Sequence, residues 1–243
     1  MNTQIDNWKI YALGDHAIVF ALDEKVDAII INKIKSLHHF ILSKKIAGII
    51  DCIPSYHTLT LVYDATKIFT SANHTEAQLL SFVNKIMNEA KYAQTSFLKN
   101  HSTLTKIPVC YESDYALDIQ NISIQKNISI QEIIKMHTAK IYEVYSIGFL
   151  PGFAYMGIVD EPIQMPRHEK PRAQVLAGSV GIAGVQTGIY PSNSPGGWQI
   201  IGRTPLTIFD PNPEVLAKFK VGDQIQFYAI TKSEFEKLNE YKD

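Results

Sequence analysis

The chain has 243 residues, 46% of them hydrophobic and 19% charged, with a formal net charge of −1. That length suits one large domain or two small ones with ample core. The balance excludes the basic field that dominates nucleic-acid affinity, and no apolar run reaches the length of a membrane span. MNTQIDNWKI lacks the charged-then-apolar layout of a leader, so the sequence points to a soluble cytoplasmic protein with no nucleic-acid or membrane partner.

The elements follow in chain order. Lys9 to Leu22 is strand-like and interrupted at Gly14-Asp15. Lys25 to Lys44 is a helix, because Ile30, Ile34, Leu37 and Ile41 recur on one face. Ile46 to Ile53 is an apolar strand, and Thr58 to Tyr63 alternates with Leu59, Leu61 and Tyr63 on one side. Glu76 to Lys91 is a second helix carrying Leu79, Val83 and Ile86. Leu104 to Val109 is again a strand. The order β-α-β-β-α-β predicts an α+β N-terminal domain of the split βαβ, ferredoxin-like type. The polar stretch Ala93 to Thr105 is the candidate linker, and the expected domains are 1–103 and 104–243.

Beyond Pro108 the pattern changes. Tyr115 to Lys126 is weakly helical. Ser129 and Glu132 form a capping box for a short helix whose apolar face includes His137. Ile141 to Phe149 is a strand. Short strands follow at Gln174–Ala177, Val180–Ala183, Gln186–Tyr190, Trp198–Gly202 and Leu206–Phe209, then Gln224 to Ile230 and a terminal helical turn from Phe235. Many short strands with frequent turns predict a mainly-β barrel or sandwich.

The stretch from Gly148 to Pro205 holds ten of the thirteen glycines and seven of the eleven prolines. Between Pro171 and Phe209 there is no Asp or Glu, and Arg172 and Arg203 are its only charges. Pro151-Gly152 is a turn signal, with glycine where φ > 0 is needed. Pro precedes both Arg167 and Arg172, so a stiff loop presents two guanidiniums suited to carboxylate or phosphate. The alternative is two solvated arginines. Gly178, Gly181, Gly184 and Gly188 follow neither dinucleotide nor P-loop spacing, and suit strands with bulges or close backbone approach. Ser179, Gln186, Thr187 and Tyr190 are neutral hydrogen-bonding groups that fit a small polar ligand such as an amide. Pro195-Gly196 turns the chain before Trp198. Arg203 is either a ligand clamp or an internal salt-bridge partner. His137 is either a ligand contact or a satisfied core histidine. Cys52 and Cys110 lack CxxC spacing and read as reduced thiols, and no metal site is expected. No complete catalytic set is visible, so the catalytic residues stay unassigned.

IPSYHTLTLVYD at 53–64, IPVCY at 107–111, GFLPGFAYMG at 148–157, PRxxxPR at 166–172, AGSVGIAGVQTGIYPSNSPGGW at 177–198 and IGRTPLTIFDP at 201–211 together resemble the KipI family. That family is also known as the B subunits of 5-oxoprolinase, and is related to allophanate hydrolase subunit 1. The resemblance implies a small α/β domain followed by a cyclophilin-like β-barrel. It implies a non-autonomous component of an enzyme that opens 5-oxo-L-proline to L-glutamate at the expense of ATP. The implied partners are the A and C subunits of that enzyme, the latter KipA-like. It also implies that Arg167, Arg172, Ser179, Gln186, Tyr190, Arg203 and His137 contact substrate. Pro151, Gly152, Gly178, Gly181 and Gly196 then shape the loops. A regulatory protein that inhibits a sensor histidine kinase is the rival reading; a prolyl isomerase or a urea- or allophanate-type enzyme ranks below it. The chain departs from the family at ESDYALDI after IPVCY, and at Leu176, where the family has proline.

Overall fold

The computed structural model describes residues 2–24, 26–69, 76–93, 104–211 and 218–240. Backbone contacts divide the chain into two compact units, one ending at residue 101 and the other beginning at 102. The first contains β1 (Asn2–Ile5), β2 (Trp8–Ala12), β3 (Ala17–Ala21), α1 (Ala28–Lys44), β4 (Ile49–Pro54), β5 (Thr58–Tyr63), a single turn α2 (Ala65–Ile68) and α3 (Glu76–Ala93). Among the described residues the strands form one five-stranded sheet in the order β1-β2-β3-β5-β4. β3 and β4 each run antiparallel to β5, so they are parallel to one another across it, with α1 as the connection.

α1 begins where Asp27 accepts hydrogen bonds from the N–H groups of Ile29 and Ile30, and ends at Lys45 in the left-handed region. Ile34, Leu37, Phe40 and Ile41 of its buried stripe pack with Leu79, Val83 and Ile86 of α3 over Ile10, Ile18, Phe20, Leu59 and Leu61 of the sheet. β5 buries Leu59, Leu61 and Tyr63 in strict alternation, as its sequence predicts.

The second unit comprises β6 (Leu104–Cys110), α4 (Ile119–Lys126), α5 (Ile130–Ala139), β7 (Ile141–Ile147), β8 (Ala154–Gly157), a 3-10 turn (Glu161–Ile163), β9 (Arg172–Val175), β10 (Ser179–Ala183), β11 (Gln186–Ile189), β12 (Ser194–Gly196), β13 (Gln199–Arg203), β14 (Gln224–Ile230) and α6 (Lys232–Glu240). Seven of these strands close a barrel in the order β10-β11-β8-β7-β14-β6-β13, and β9 pairs with β12 in a separate two-stranded sheet. Ile107, Val109, Tyr142, Val144, Met156, Val180, Ile182, Ile201 and Phe227 fill the interior, with Ile122 of α4 and Ile133 of α5 joining that core. Ser129 caps α5 through the reciprocal bonds with Glu132 that its sequence predicts. A closed barrel with attendant helices is consistent with the expected cyclophilin-like domain.

Three expectations are corrected. Leu104–Cys110 lies in the barrel between β14 and β13, not in the N-terminal sheet, which instead gains β1 at its edge, while the interrupted run from Lys9 to Leu22 supplies β2 and β3. The ferredoxin-like βαββαβ order therefore does not describe the sheet. β6 instead pairs in parallel with β14 along its whole length, two seven-residue strands that bury Ile107, Val109, Ile225 and Phe227 in the barrel core. Leu206–Phe209 forms no barrel strand, whereas Ala154–Gly157, which the sequence did not mark as a strand, does. The expected linker falls largely on residues 94–103, outside the described residues.

Candidate functional site

The unusual glycines line the outer face of the barrel. Tyr155, Gly188, Gly181 and Ile200 are successive cross-strand partners on β8, β11, β10 and β13. A Cβ on Gly181 would meet Trp198 Cβ at 3.1 Å, and one on Gly188 would meet the Ala154 carbonyl at 2.9 Å and Trp198 Cζ3 at 3.1 Å. The absent side chains let the Trp198 indole lie directly on the sheet backbone. Phe153 packs edge-on to Trp198 at 5.3 Å and to Tyr190 at 5.2 Å, and Tyr155 lies 5.7 Å from Trp198. These rings form a small second core, separate from the barrel interior. The exposed Arg167 guanidinium lies 6.0 Å from the Trp198 ring centre.

A turn and a hairpin hold this shelf. Phe153 N–H donates to Leu150 at 3.0 Å, with Pro151 leading and Gly152 at φ +80°. This is the β-turn that Pro-Gly predicts. The loop carrying Arg167 is tied to the barrel where Gln199 Nε2 donates to the Pro166 carbonyl at 3.0 Å and His168 N–H donates to Gly197 at 2.7 Å. Tyr190 is buried beneath β12, and any side chain on Gly196 would collide with its hydroxyl. Burial pushes the Tyr190 phenol up; the Trp198 N–H and the charges of Arg167 and Arg172 pull it partly back.

Asp118 is the residue that sequence reasoning missed. It is 4% exposed, and its Oδ1 accepts from Arg172 Nη2 at 2.5 Å. Its Oδ2 accepts from Ile200 N–H at 2.6 Å, while its own N–H donates to Ile200 at 2.8 Å. The carboxylate therefore joins the start of α4 to β13 and to the arginine loop. It makes no side-chain cap of α4, because both oxygens are already engaged. His168 Nε2 lies 3.3 Å from Oδ1 without the alignment of a hydrogen bond. The one available signal was negative: a stretch with no acid of its own needs a carboxylate from elsewhere to bury an arginine.

Arg203 sits at the other end of β13, opposite Ser179. Its Nε donates to the Ala177 carbonyl at 2.8 Å, and the Phe235 ring lies 5.9 Å from its guanidinium. Gly178 is at φ +82°, and a Cβ there would run into the Thr204 carbonyl. Gly178 also accepts from Thr204 N–H at 2.9 Å, which closes the turn. Ser179 is buried at the start of β10. Gln186 begins β11 with its Nε2 buried and without a hydrogen-bond partner.

His137 is placed elsewhere. It is fully buried in the barrel interior and stacks on Phe227 at 4.6 Å. Thr187 donates its hydroxyl proton to the Gly181 carbonyl at 3.0 Å, so it accepts from His137 Nε2–H at 2.9 Å. Nδ1 then accepts from the Tyr111 hydroxyl at 2.8 Å. Burial lowers the imidazole from 6.5 to about 3, which makes it a neutral bridge.

The structure thus gathers Arg167, Arg172 and Tyr190 around the Trp198 shelf, puts Arg203 with Gly178 and Ser179 at a neighbouring turn, and seals His137 inside. Among the described residues the histidine hydrogen-bonded to hydroxyl groups is this sealed one, so no nucleophile–base pair faces the shelf. No group of three or more His, Cys, Asp or Glu among those residues is arranged to hold a metal, and no helix is long and apolar enough to cross a membrane. Cys52 and Cys110 are buried free thiols.

The family model described as carboxyltransferase domain, subdomain C and D, matches residues 8–218. The B subunit of 5-oxoprolinase from Bacillus subtilis is 31% identical over 233 residues, covering 96% of this chain and 97% of that one. Urea amidolyase of Saccharomyces cerevisiae is 21% identical over 97% of this chain but only 13% of its own length. The crystal structure of TTHA0988 superposes with a TM-score of 0.71 at 27% identity, over 88% of this chain and 40% of that one. With a match across nearly its whole length, this chain belongs to the carboxyltransferase subdomain C and D family, in the branch that includes the B subunits of 5-oxoprolinase.

Proposed function

We propose that this chain is the B subunit of an ATP-dependent 5-oxoprolinase, working with the A and C subunits to open 5-oxo-L-proline to L-glutamate. The observation that carries the reading is the end-to-end similarity to the Bacillus subtilis B subunit, 31% identity over 96% of one chain and 97% of the other. The chemistry of the surface supports it. A lactam acid presents a carboxylate and a neutral amide, and this face offers arginines and neutral polar groups, with Asp118 engaging Arg172 alone among the arginines. The lactam carbonyl is a poor electrophile; transfer of the ATP γ-phosphoryl group to its oxygen releases ADP and activates the carbon, water adds there, and the ring C–N bond breaks to leave γ-glutamyl phosphate. A second water hydrolyses that acyl phosphate to L-glutamate and inorganic phosphate. Fixed cations stabilise the charge that develops. ATP is consumed by the complex.

In this reading Arg203 faces the small molecule, and Arg167 and Gln186 are candidate contacts farther along the same barrel unit. Arg172, Ser179 and Tyr190 fix the loops that present them, with Pro151, Gly152, Gly178, Gly181 and Gly196 setting the backbone path. His137 keeps β11 in register from within. The test is to purify the chain with its A and C partners and measure ATP-dependent glutamate release. A folded, complete set that releases none sinks the reading.

A further inference from the structure

The three arginines at 167, 172 and 203 are not equivalent. Arg172 is neutralised by Asp118 at 2.5 Å, and Arg167 is exposed over Trp198. Arg203 is half-buried, and among the described residues it has no carboxylate partner. Burial lowers its pKa, the mark of a cation held without its counter-charge. Its hydrogen bond from Nε to the Ala177 carbonyl orients the guanidinium and leaves both Nη groups for another acceptor.

Arg203 lines a cavity of about 110 Å³ together with Gly178, Thr204, Thr207, Phe235 and Asn239, among others. The Gly178 turn and its bond from Thr204 form one wall, and the Phe235 ring another. Thr207 and Asn239 add a hydroxyl and an amide, both donors. The volume falls below the roughly 300 Å³ of a whole-ligand site, so it suits one functional group and a short body. Every polar side chain in this lining can donate hydrogen bonds and none is acidic. The 37 residues from 172 to 208 contain no Asp or Glu that could fill the cavity from within the same stretch.

We propose that this cavity is a carboxylate subsite in which Arg203 clamps a compact organic acid through its two Nη groups. In naming that acid as 5-oxoproline the proposal rests on the 5-oxoprolinase reading; the carboxylate clamp itself does not. A planar guanidinium matches a carboxylate in two parallel hydrogen bonds, which sets the acid's orientation as well as its charge preference.

The test titrates the full-length chain by NMR with 5-oxoproline, acetate and 2-pyrrolidinone, which is the same ring without its carboxylate. The two acids are expected to move the Gly178, Phe235 and Asn239 signals, and the neutral lactam is not. Arg203→Gln is expected to weaken acid binding by about tenfold or more, because a hydrogen-bonded charge is lost. Arg203→Lys keeps the charge without the fork and falls between. Equal response to 2-pyrrolidinone, or unchanged acid binding in folded Arg203→Gln, overturns the proposal. If Arg203→Gln does not fold, unchanged binding in both Arg203→Lys and Thr207→Val overturns it. The reconstituted complex separates the two readings. An active complex whose KM for 5-oxoproline ignores Arg203→Lys removes the subsite alone. An inactive complex in which this chain still binds acids through Arg203 removes the 5-oxoprolinase reading alone.

Discussion

Two buried polar side chains in the barrel unit, Asp118 and His137, are stabilised in opposite ways. Asp118 is paired, its carboxylate accepting from Arg172 and from the Ile200 N–H. Removing the guanidinium strands a carboxylate that is 4% exposed. Arg172→Ala is therefore expected to cost about 3 kcal/mol in urea unfolding. The double variant with Asp118→Asn is expected to cost less than Arg172→Ala alone, since it no longer strands a charge. Equal loss in the single and double variants defeats the ion-pair account. His137 instead gives up its charge, its pKa falling from 6.5 to about 3 through burial. Below 6.5 the unfolded chain takes up a proton that the folded chain refuses. The contribution of this neutral imidazole is thus complete above 6.5 and is lost as the pH falls toward 3. Lowering the pH is expected to remove about 1.4 kcal/mol of stability per unit within that window from this residue. Subtracting the pH profile of His137→Gln isolates it, and parallel profiles contradict the assignment.

At the scale of elements, the barrel's outer face depends on glycine as much as on aromatic residues. Gly181 and Gly188 are cross-strand partners, and the indole of Trp198 rests where their side chains would be. At Gly188 a methyl would also press on the backbone carbonyl of Ala154, which cannot swing aside. Gly188→Ala is expected to destabilise the unit by about 1–3 kcal/mol through overpacking. It is also expected to shift Trp198 fluorescence to the red as the ring lifts toward water; an unchanged spectrum and melting curve argue against the packed floor. The sequence marked this segment as special without saying why, because glycine spacing shows that backbone is approached but not by what. Local patterns were easier to read. The Leu59, Leu61, Tyr63 alternation and the Ser129–Glu132 capping box are both present as expected. Ala154–Gly157 was missed because four residues next to a Pro-Gly turn are too short to display a period. Asp118 was missed because its partner lies 54 positions away, and long-range pairing leaves no mark on a single local window.

At the scale of the whole molecule, the unread feature was the destination of β6. An apolar run such as Leu104–Cys110 is legible as a strand, but its neighbours are chosen by tertiary pairing. Here those neighbours are β14 along the whole strand and β13 at its end, so the first strand of the second unit also completes the barrel. β6 supplies Ile107 and Val109, both fully buried, and the chain that follows it supplies Tyr111, whose hydroxyl serves His137. Each lost core side chain costs about 2–5 kcal/mol when truncated to alanine, against a total stability of about 5–15 kcal/mol for a domain. A fragment comprising residues 102–243 is therefore expected to fold cooperatively, with near-UV dichroism from a fixed Trp198. A fragment beginning at residue 112 loses both aliphatic side chains, the Tyr111 hydroxyl and the pairing partner of β14, and is expected to show no cooperative thermal transition. If the shorter fragment melts like the longer one, β6 is an accessory strand and the barrel closes without it. If neither folds while the full chain does, the second unit depends on the first, and the division of the chain at residue 101 is structural without being thermodynamic.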